Sequence, residues 1–256
     1  MRVKNVVCPN YSMTNKITVP TEVTPELAYL CGVIAGDGCI SIRPEKHDYA
    51  VYCAGNSADE KEFYMDVIAP LMKKVFGVEV KLRCHSSGCC YGFTLNSKQL
   101  ASYLVEDIGI PAGKKYARLQ IPPLFMQSRE VAIAFIRGVF DTDGCMSFKT
   151  RDQNTPYYPV INLSSKSGKF IEEVASFLRG LQFTAAVHHR TNVDPRFAGP
   201  NVISSIALSG LENFRRWEMH IGFWNPKHLR KISNWKAHGR LLNICYRRKK
   251  KPQNPE

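Results

Sequence analysis

The chain of 256 residues carries 35 Lys and Arg against 22 Asp and Glu, a formal net charge of +13, and 44% of it is hydrophobic. That is enough apolar material for one large core or two, and the basic excess calls for a polyanionic partner. The apolar runs are far shorter than the roughly 20 residues of a membrane span, and no basic amphipathic helix with an aromatic face stands out, so nucleic acid is expected rather than membrane. The start MRVKNVVCPNYSMTN lacks a secretory h-region, and nine cysteines form no regular framework. An intracellular, unsecreted protein of the cytoplasm, nucleoid or an organelle matrix, with reduced thiols, is the expectation.

Residues 1–23 are expected to be an extension. The first helix runs from Pro25 to Asp37, with Thr24 as cap and Pro25 at the first position, where a missing N–H costs nothing. Asp37 is oddly placed, because a helix end carries free carbonyls and about half a negative charge. Gly38 stops the helix. From Cys39 to Arg43 the pattern alternates, Ile40 and Ile42 on one face and Ser41 and Arg43 on the other, as in a half-buried strand. EKEFYMDVIAPLMKKVFGVEVKLR predicts a helix leading into a strand, and YGFTLNSKQLASYLVEDIGI a strand leading into a helix. Residues 111–129, PAGKKYARLQIPPLFMQSR, hold three prolines and predict a connector.

Beyond the connector the pattern returns. VIAGDGCISI at 33–42 superposes on VFDTDGCMSF at 139–148 with a shift of 106. Phe63, Val67, Leu71 and Phe76 superpose on Phe170, Val174, Leu178 and Phe183 with a shift of 107, and Leu95 and Lys114 on Leu208 and Lys227 with a shift of 113. The chain is therefore read as an α+β fold, a duplicated αββαββα unit about a pseudo-twofold axis. The expected boundaries are a first repeat at 24–110, a linker at 111–129, a second repeat at 130–232, and a C-terminal helix and basic tail at 233–256.

Small residues recur every fourth position on both first helices: Ala28, Gly32 and Gly36, then Ala134, Gly138 and Thr142. Such ridges let backbones approach closely, so the two helices are expected to pack on each other and bring Asp37 and Asp143 together. Two carboxylates at two negative helix ends repel. A divalent cation resolves the repulsion, and hard oxygen donors, including the carbonyls of Gly36 and Thr142, suit Mg²⁺ or Ca²⁺ better than Zn²⁺.

LCGVIAGDG at 30–38 and IRGVFDTDG at 136–144 resemble the two motifs of a single-chain LAGLIDADG homing endonuclease, and the resemblance extends from about Thr24 to about Arg230. It implies two antiparallel sheets forming a saddle over double-stranded DNA, with the motif helices at the interface. It also implies hydrolysis of one phosphodiester per strand to leave short 3′ overhangs, in a monomer that promotes homing of its own intron. Asp37 and Asp143 would be the metal-binding acids, with Mg²⁺ as cofactor and Ca²⁺ able to occupy the site without supporting cleavage. Lys114 and Lys227 fall where the family carries a basic active-site residue, with Lys115 a close competitor to Lys114. The sequence departs from the motif at Ala35 and Arg137. Asp141, the acid at the sixth motif position, is not a metal ligand in the family.

Base reading is expected from the outward faces of the strands, which can enter a major groove. The candidates are Ser41, Arg43, Tyr52, Asn56, Lys81 and Arg83 in the first copy. Those of the second are Ser147, Lys149, Arg151, Asn162, His188 and Arg190, the shift of 107 setting Lys81 on His188 and Arg83 on Arg190. Cys39 and Cys145 are expected to be small buried groups beside the helices. Trp217, Trp224 and Trp235 are expected in the core or at a helix docking surface. The target would be a long, pseudo-palindromic or asymmetric duplex site, with intron RNA as a further partner. A maturase or a non-cleaving binder on the same scaffold is the alternative.

Overall fold

The computed structural model describes residues 17–85, 88–115, 118–150, 157–192 and 201–238. Helix α1 spans Pro25–Gly36, and the Thr24 hydroxyl accepts the Leu27 N–H at 3.2 Å. Asp37 is its last cap, and the Asp37 N–H bonds the Val33 carbonyl at 3.0 Å. Strands β1 (Gly38–Arg43) and β2 (Asp48–Asn56) form a hairpin. Helix α2 (Ala69–Phe76) is entered through a π-turn at Phe63–Ile68. Pro70 explains that wider turn, since its ring would clash with the carbonyl four residues earlier in a regular helix. Strands β3 (Arg83–His85) and β4 (Cys90–Asn96) lead to helix α3 (Lys98–Ser102), which runs on into a π-turn at Tyr103–Asp107.

The second half repeats the order: α4 (Arg129–Thr142), β5 (Gly144–Lys149), β6 (Tyr158–Ser165), α5 (Gly168–Gly180), β7 (Ala185–Asn192), β8 (Asn201–Ser209) and α6 (Leu211–His220). Helix α7 (Pro226–His238) follows. The two sheets are four-stranded and antiparallel, in the equivalent orders β1-β2-β4-β3 and β5-β6-β8-β7. Among the described residues no helix is long and apolar enough to cross a membrane.

Each sheet turns one face to the core. Ile40, Val51 and Leu95 lie in one cross-strand row, and Met146, Ile161 and Leu208 in its counterpart. Helix α1 is buried without a break from Leu27 to Ala35, so it has no solvated face. The glycine seam accounts for this. A Cβ on Gly32 would collide with the Phe135 carbonyl and lie 3.1 Å from the Gly138 Cα, and one on Gly138 would collide with the Tyr29 carbonyl. A Cβ on Gly36 would strike the Thr142 hydroxyl. The two motif helices therefore pack backbone to backbone along the spacing visible in the sequence.

The strand register corrects two expectations. Arg83 pairs with Gly92 and His188 with Ser205, which occupy the same place in their sheets, so Arg83 corresponds to His188 and His85 to Arg190. Lys81 lies before the strand, exposed, and has no such counterpart. Second, Cys39 and Cys145 are exposed. Gly38 and Gly144 take the inward positions of their strands, so the period of two turns the next residue outward. Of the tryptophans, Trp217 is fully buried, Trp235 stacks on Phe148 at 4.9 Å, and Trp224 is partly exposed.

Candidate active site

The C-termini of α1 and α4 emerge side by side, and with them Asp37 and Asp143. Acidic neighbours bear on both sites: the Asp37 carboxyl is pushed up to about 7, first by burial, then by Glu60 and Asp143, against the pull of Lys227 and the Tyr64 hydroxyl. Tyr64 donates to Asp37 Oδ2 at 3.3 Å. Asp143 reaches solvent on its outer side, yet burial of its carboxyl again raises its pKa, with Lys115 and Lys227 opposing.

Two ammonium groups stand at the helix ends. Lys115 Nζ donates to the carbonyls of Ile34 at 3.2 Å, Ala35 at 2.6 Å, Gly36 at 2.7 Å and Gly38 at 2.6 Å. It neutralises the negative end of α1 and takes up the free carbonyls there. Lys227 Nζ lies 2.7 Å from Glu60 Oε1 and 3.1 Å from the Thr142 carbonyl. The carbonyls of Gly36 and Thr142, expected to assist a metal, thus accept from lysines. Lys114 is exposed, and the structure brings Lys115 to the helix end in its place. One residue separates the two copies here: Lys115 follows Ile108 by seven positions, Lys227 follows Ile221 by six.

A hard divalent cation fits the paired carboxylates, which two helix C-termini bring together out of water with oxygen donors only. Among the described residues no group of three or more His, Cys, Asp or Glu side chains is placed to hold a metal. Asp37 and Asp143 would therefore hold it together with water and substrate oxygens, the ordinary habit of Mg²⁺. A cleft of about 570 Å³ opens beside them, lined by Gly36, Cys39, Lys115, Asp143, Ser164 and Lys166.

Two results are expected from this electrostatics. Because the folded-state pKa of Asp37 lies above the usual carboxylate value, the native protein binds a proton that the unfolded chain releases. Its contribution to stability is greatest at about pH 4 and is lost as pH rises to about 7. Unfolding midpoints in urea with a chelator present, for wild type and Asp37→Asn, should diverge over that window in favour of the variant. Lys115→Met should cost about 2 kcal/mol by orphaning helix carbonyls, against less than about 0.5 kcal/mol for Lys114→Ala. Thermal melts of the two variants compare them directly.

The remaining candidates are placed as follows. Cys39 and Tyr52, and Cys145 and Asn162, form equivalent outward pairs beside the acids. Arg43 does not project freely: its guanidinium is held by Asp48, Nε at 2.7 Å. Ser41 also leans on Asp48 at 3.4 Å, and Ser147 donates to the Val160 carbonyl at 3.3 Å. Asn56 is exposed, but its Oδ1 accepts the Ala58 N–H at 2.8 Å, which closes a turn. Lys149, Arg83, His188 and Arg190 are exposed on their strands, and Arg151 lies outside the described residues.

Sequence reasoning did not find Glu60, Tyr64 or Asn225. Glu60 is 4% exposed and accepts the Asn56 N–H at 2.7 Å and the Asn225 amide at 2.9 Å. Asp141, set aside as a metal ligand, is fully buried: it accepts from the Tyr29 hydroxyl at 2.7 Å and from the N–H groups of Trp224 and Asn225 at 3.1 and 3.2 Å. It fixes the loop that leads into α7. Arg137, the other departure from the motif, serves the same loop by donating to the Ile221 carbonyl and covering Trp224 at 4.8 Å.

A family model described as LAGLIDADG-like domain matches residues 130–222. Curated relatives include a glutamine--fructose-6-phosphate aminotransferase of Methanocaldococcus jannaschii, 23% identical over 93% of this chain and 20% of that protein. A replicative DNA helicase DnaB of Rhodothermus marinus is 26% identical over 80% of this chain and 21% of its own length, and a DNA polymerase of Thermococcus litoralis 24% over 86% and 12%. The chain thus spans about a fifth or less of these relatives. Among solved structures, variants of the homing endonuclease I-DmoI match with a TM-score of 0.54 at 19% identity, over 78% of this chain and 96% of theirs. The LAGLIDADG meganuclease I-AabMI bound to uncleaved DNA matches with a TM-score of 0.50 at 11% identity, over 84% and 91%. Residues 130–222 are thus a LAGLIDADG-like domain, the second of two copies in a chain with the duplicated, two-motif LAGLIDADG fold.

Proposed function

We propose that the protein is a site-specific homing endonuclease that hydrolyses one phosphodiester in each strand of a long DNA target and leaves short 3′ overhangs. The single observation that carries this reading is the juxtaposition of Asp37 and Asp143 at the ends of two seam-packed helices, where the outward faces of both sheets begin. A protein that only bound DNA would gain nothing from paired acids set against a phosphate backbone. The net charge of +13 supplies the attraction that those acids oppose. I-DmoI has been solved in complex with DNA and Ca and with DNA and Mn, which supports a duplex partner and a divalent cofactor here.

Magnesium, once bound, would polarise the phosphate and make a bound water nucleophilic. The chain supplies the rest. Asp37 and Asp143 hold the cation, each from one repeat, so one polypeptide acts as a monomer on both strands. Lys227 spends two of its three N–H groups on Glu60 and the Thr142 carbonyl and keeps one for a phosphate oxygen. Lys115, already shared among four carbonyls, serves as a fixed charge at the end of α1. The relatives' transaminase, helicase and polymerase activities have no reaction in common, and none is carried over. The protein's own intron is the expected vehicle of homing.

Incubation with Mg²⁺ and a randomised duplex library, followed by mapping of cut ends, tests the reading. A staggered two-strand cut at one long site supports it; specific retention of duplex or RNA without cutting returns the chain to the binding or maturase alternative.

A further inference from the structure

Glu60 is a buried carboxylate, and three hydrogen bonds from three different residues hold its two oxygens. Its Oε2 accepts the Asn56 N–H at 2.7 Å, while Oε1 accepts the Asn225 amide at 2.9 Å and the Lys227 ammonium at 2.7 Å. The carboxylate packs against bare backbone: a Cβ on Gly55 would strike Glu60 Oε2 and stand 3.1 Å from Asp37 Oδ2. Glu60 belongs to the first repeat, at the start of its second helix, whereas Asn225 and Lys227 lie beyond α6, where α7 begins. From there the Lys227 ammonium reaches the Thr142 carbonyl, one residue before Asp143.

The other half is built differently. The residue before helix α5, at the place of Glu60, is Ser167. Its hydroxyl donates to the Leu119 carbonyl at 2.8 Å in the linker. The helix starts thus hold opposite connectors, Glu60 the one between α6 and α7 and Ser167 the linker after the first repeat. Only Glu60 carries a charge. Among the described residues Lys115 thus has no carboxylate hydrogen-bonded to it, and its donors are committed to three carbonyls at the end of α1 and to that of Gly38 at the start of β1.

We infer that Glu60 is the positioning residue for Lys227, and that this pair, whose counterpart of Ser167 and Lys115 has no carboxylate, makes the two halves of the centre cut their strands at different rates. The inference rests on the nuclease reading. Glu60 touches no substrate in this role. It holds the ammonium so that the remaining N–H points to the phosphate of one strand, and Asn225, bonded to the same oxygen, fixes the backbone from which Lys227 projects.

The test is single-turnover cleavage of the wild-type target with each strand labelled separately, using Glu60→Gln, Lys227→Met and the double variant. Lys227→Met should slow one strand about a hundredfold or more. Glu60→Gln should slow the same strand about tenfold and leave the other within about threefold. The double variant should match Lys227→Met alone, because Glu60 acts through that lysine. Independently of activity, the metal-free wild type should show a slowly exchanging lysine ammonium resonance, assigned by its loss in Lys227→Met and lost also in Glu60→Gln. Equal slowing of both strands, a double variant much worse than Lys227→Met, or an ammonium signal that survives Glu60→Gln would overturn the inference. If Glu60→Gln does not fold, Glu60→Asp takes its place: it should slow that strand less than Lys227→Met does, and slowing of the other strand instead would overturn the inference. A wild type that cuts no duplex overturns the nuclease reading itself.

Discussion

Replacing either Asp37 or Asp143 with Asn is expected to abolish double-strand cutting, a loss of more than about a thousandfold in single-turnover rate, with target affinity kept within about tenfold. The asymmetry between rate and affinity follows from where each acid acts. Both sit at helix ends at the seam, beside Glu60 and two lysines, so an amide of the same shape removes the charge that holds a cation and leaves the outward faces of the sheets untouched. The seam itself barely feels the change. Asn at position 37 also removes the charge that burial, Glu60 and Asp143 disfavour and that pushes that carboxyl up to about 7, so the metal-free variant should melt higher than wild type at pH 8 even though it does not cut. Cleavage assays with Mg²⁺, binding assays with a chelator and melts of the same samples separate the three effects. Full-rate cutting by either variant would remove the acids from the chemistry.

The second large effect is mechanical. Gly32→Val and Gly138→Val should each destabilise the fold by about 3 kcal/mol or more, a fall in Tm on the order of 10 °C for a chain of this size, and should end cleavage. The neighbours that a new side chain would meet are backbone atoms, the Phe135 carbonyl for Gly32 and the Tyr29 carbonyl for Gly138, and these have no rotamer to escape into. The helices would have to move apart, and Asp37 and Asp143 with them. Gly180, where a Cβ would meet nothing within 4 Å, is the control: Gly180→Ala should fold and cut as wild type does.

Much of this architecture was open to inference from local pattern, because period and duplication reinforce each other. Ile40 and Ser41 announce a strand by alternation, and the fourfold spacing of Ala28, Gly32 and Gly36 announces a helix that meets another backbone. What stayed hidden depends on distance in the chain. Glu60 sits in NSADEKEF, which reads as ordinary acidic residues ahead of a helix, and its partners lie 165 and 167 residues away. The choice between Lys115 and Lys114 turned on one extra residue in a proline-glycine connector, where helix periodicity gives no guidance. The match of Arg83 to His188 depends on cross-strand pairing, which a constant offset along the sequence misses when loops differ in length. Cys39 and Cys145 face outward against their hydropathy because a small apolar residue beside a glycine takes its direction from the pleat.

The start of α7 grips the first repeat at three points: Asn225 and Lys227 on Glu60, and Arg230 on Glu62 at 2.6 Å. Anyone assembling hybrid proteins by exchanging halves between relatives should therefore treat residues 56–62 and 225–230 as one transplantable cassette. A chimera that severs them would inherit its amino-terminal sheet from one parent and the brace for that sheet from another.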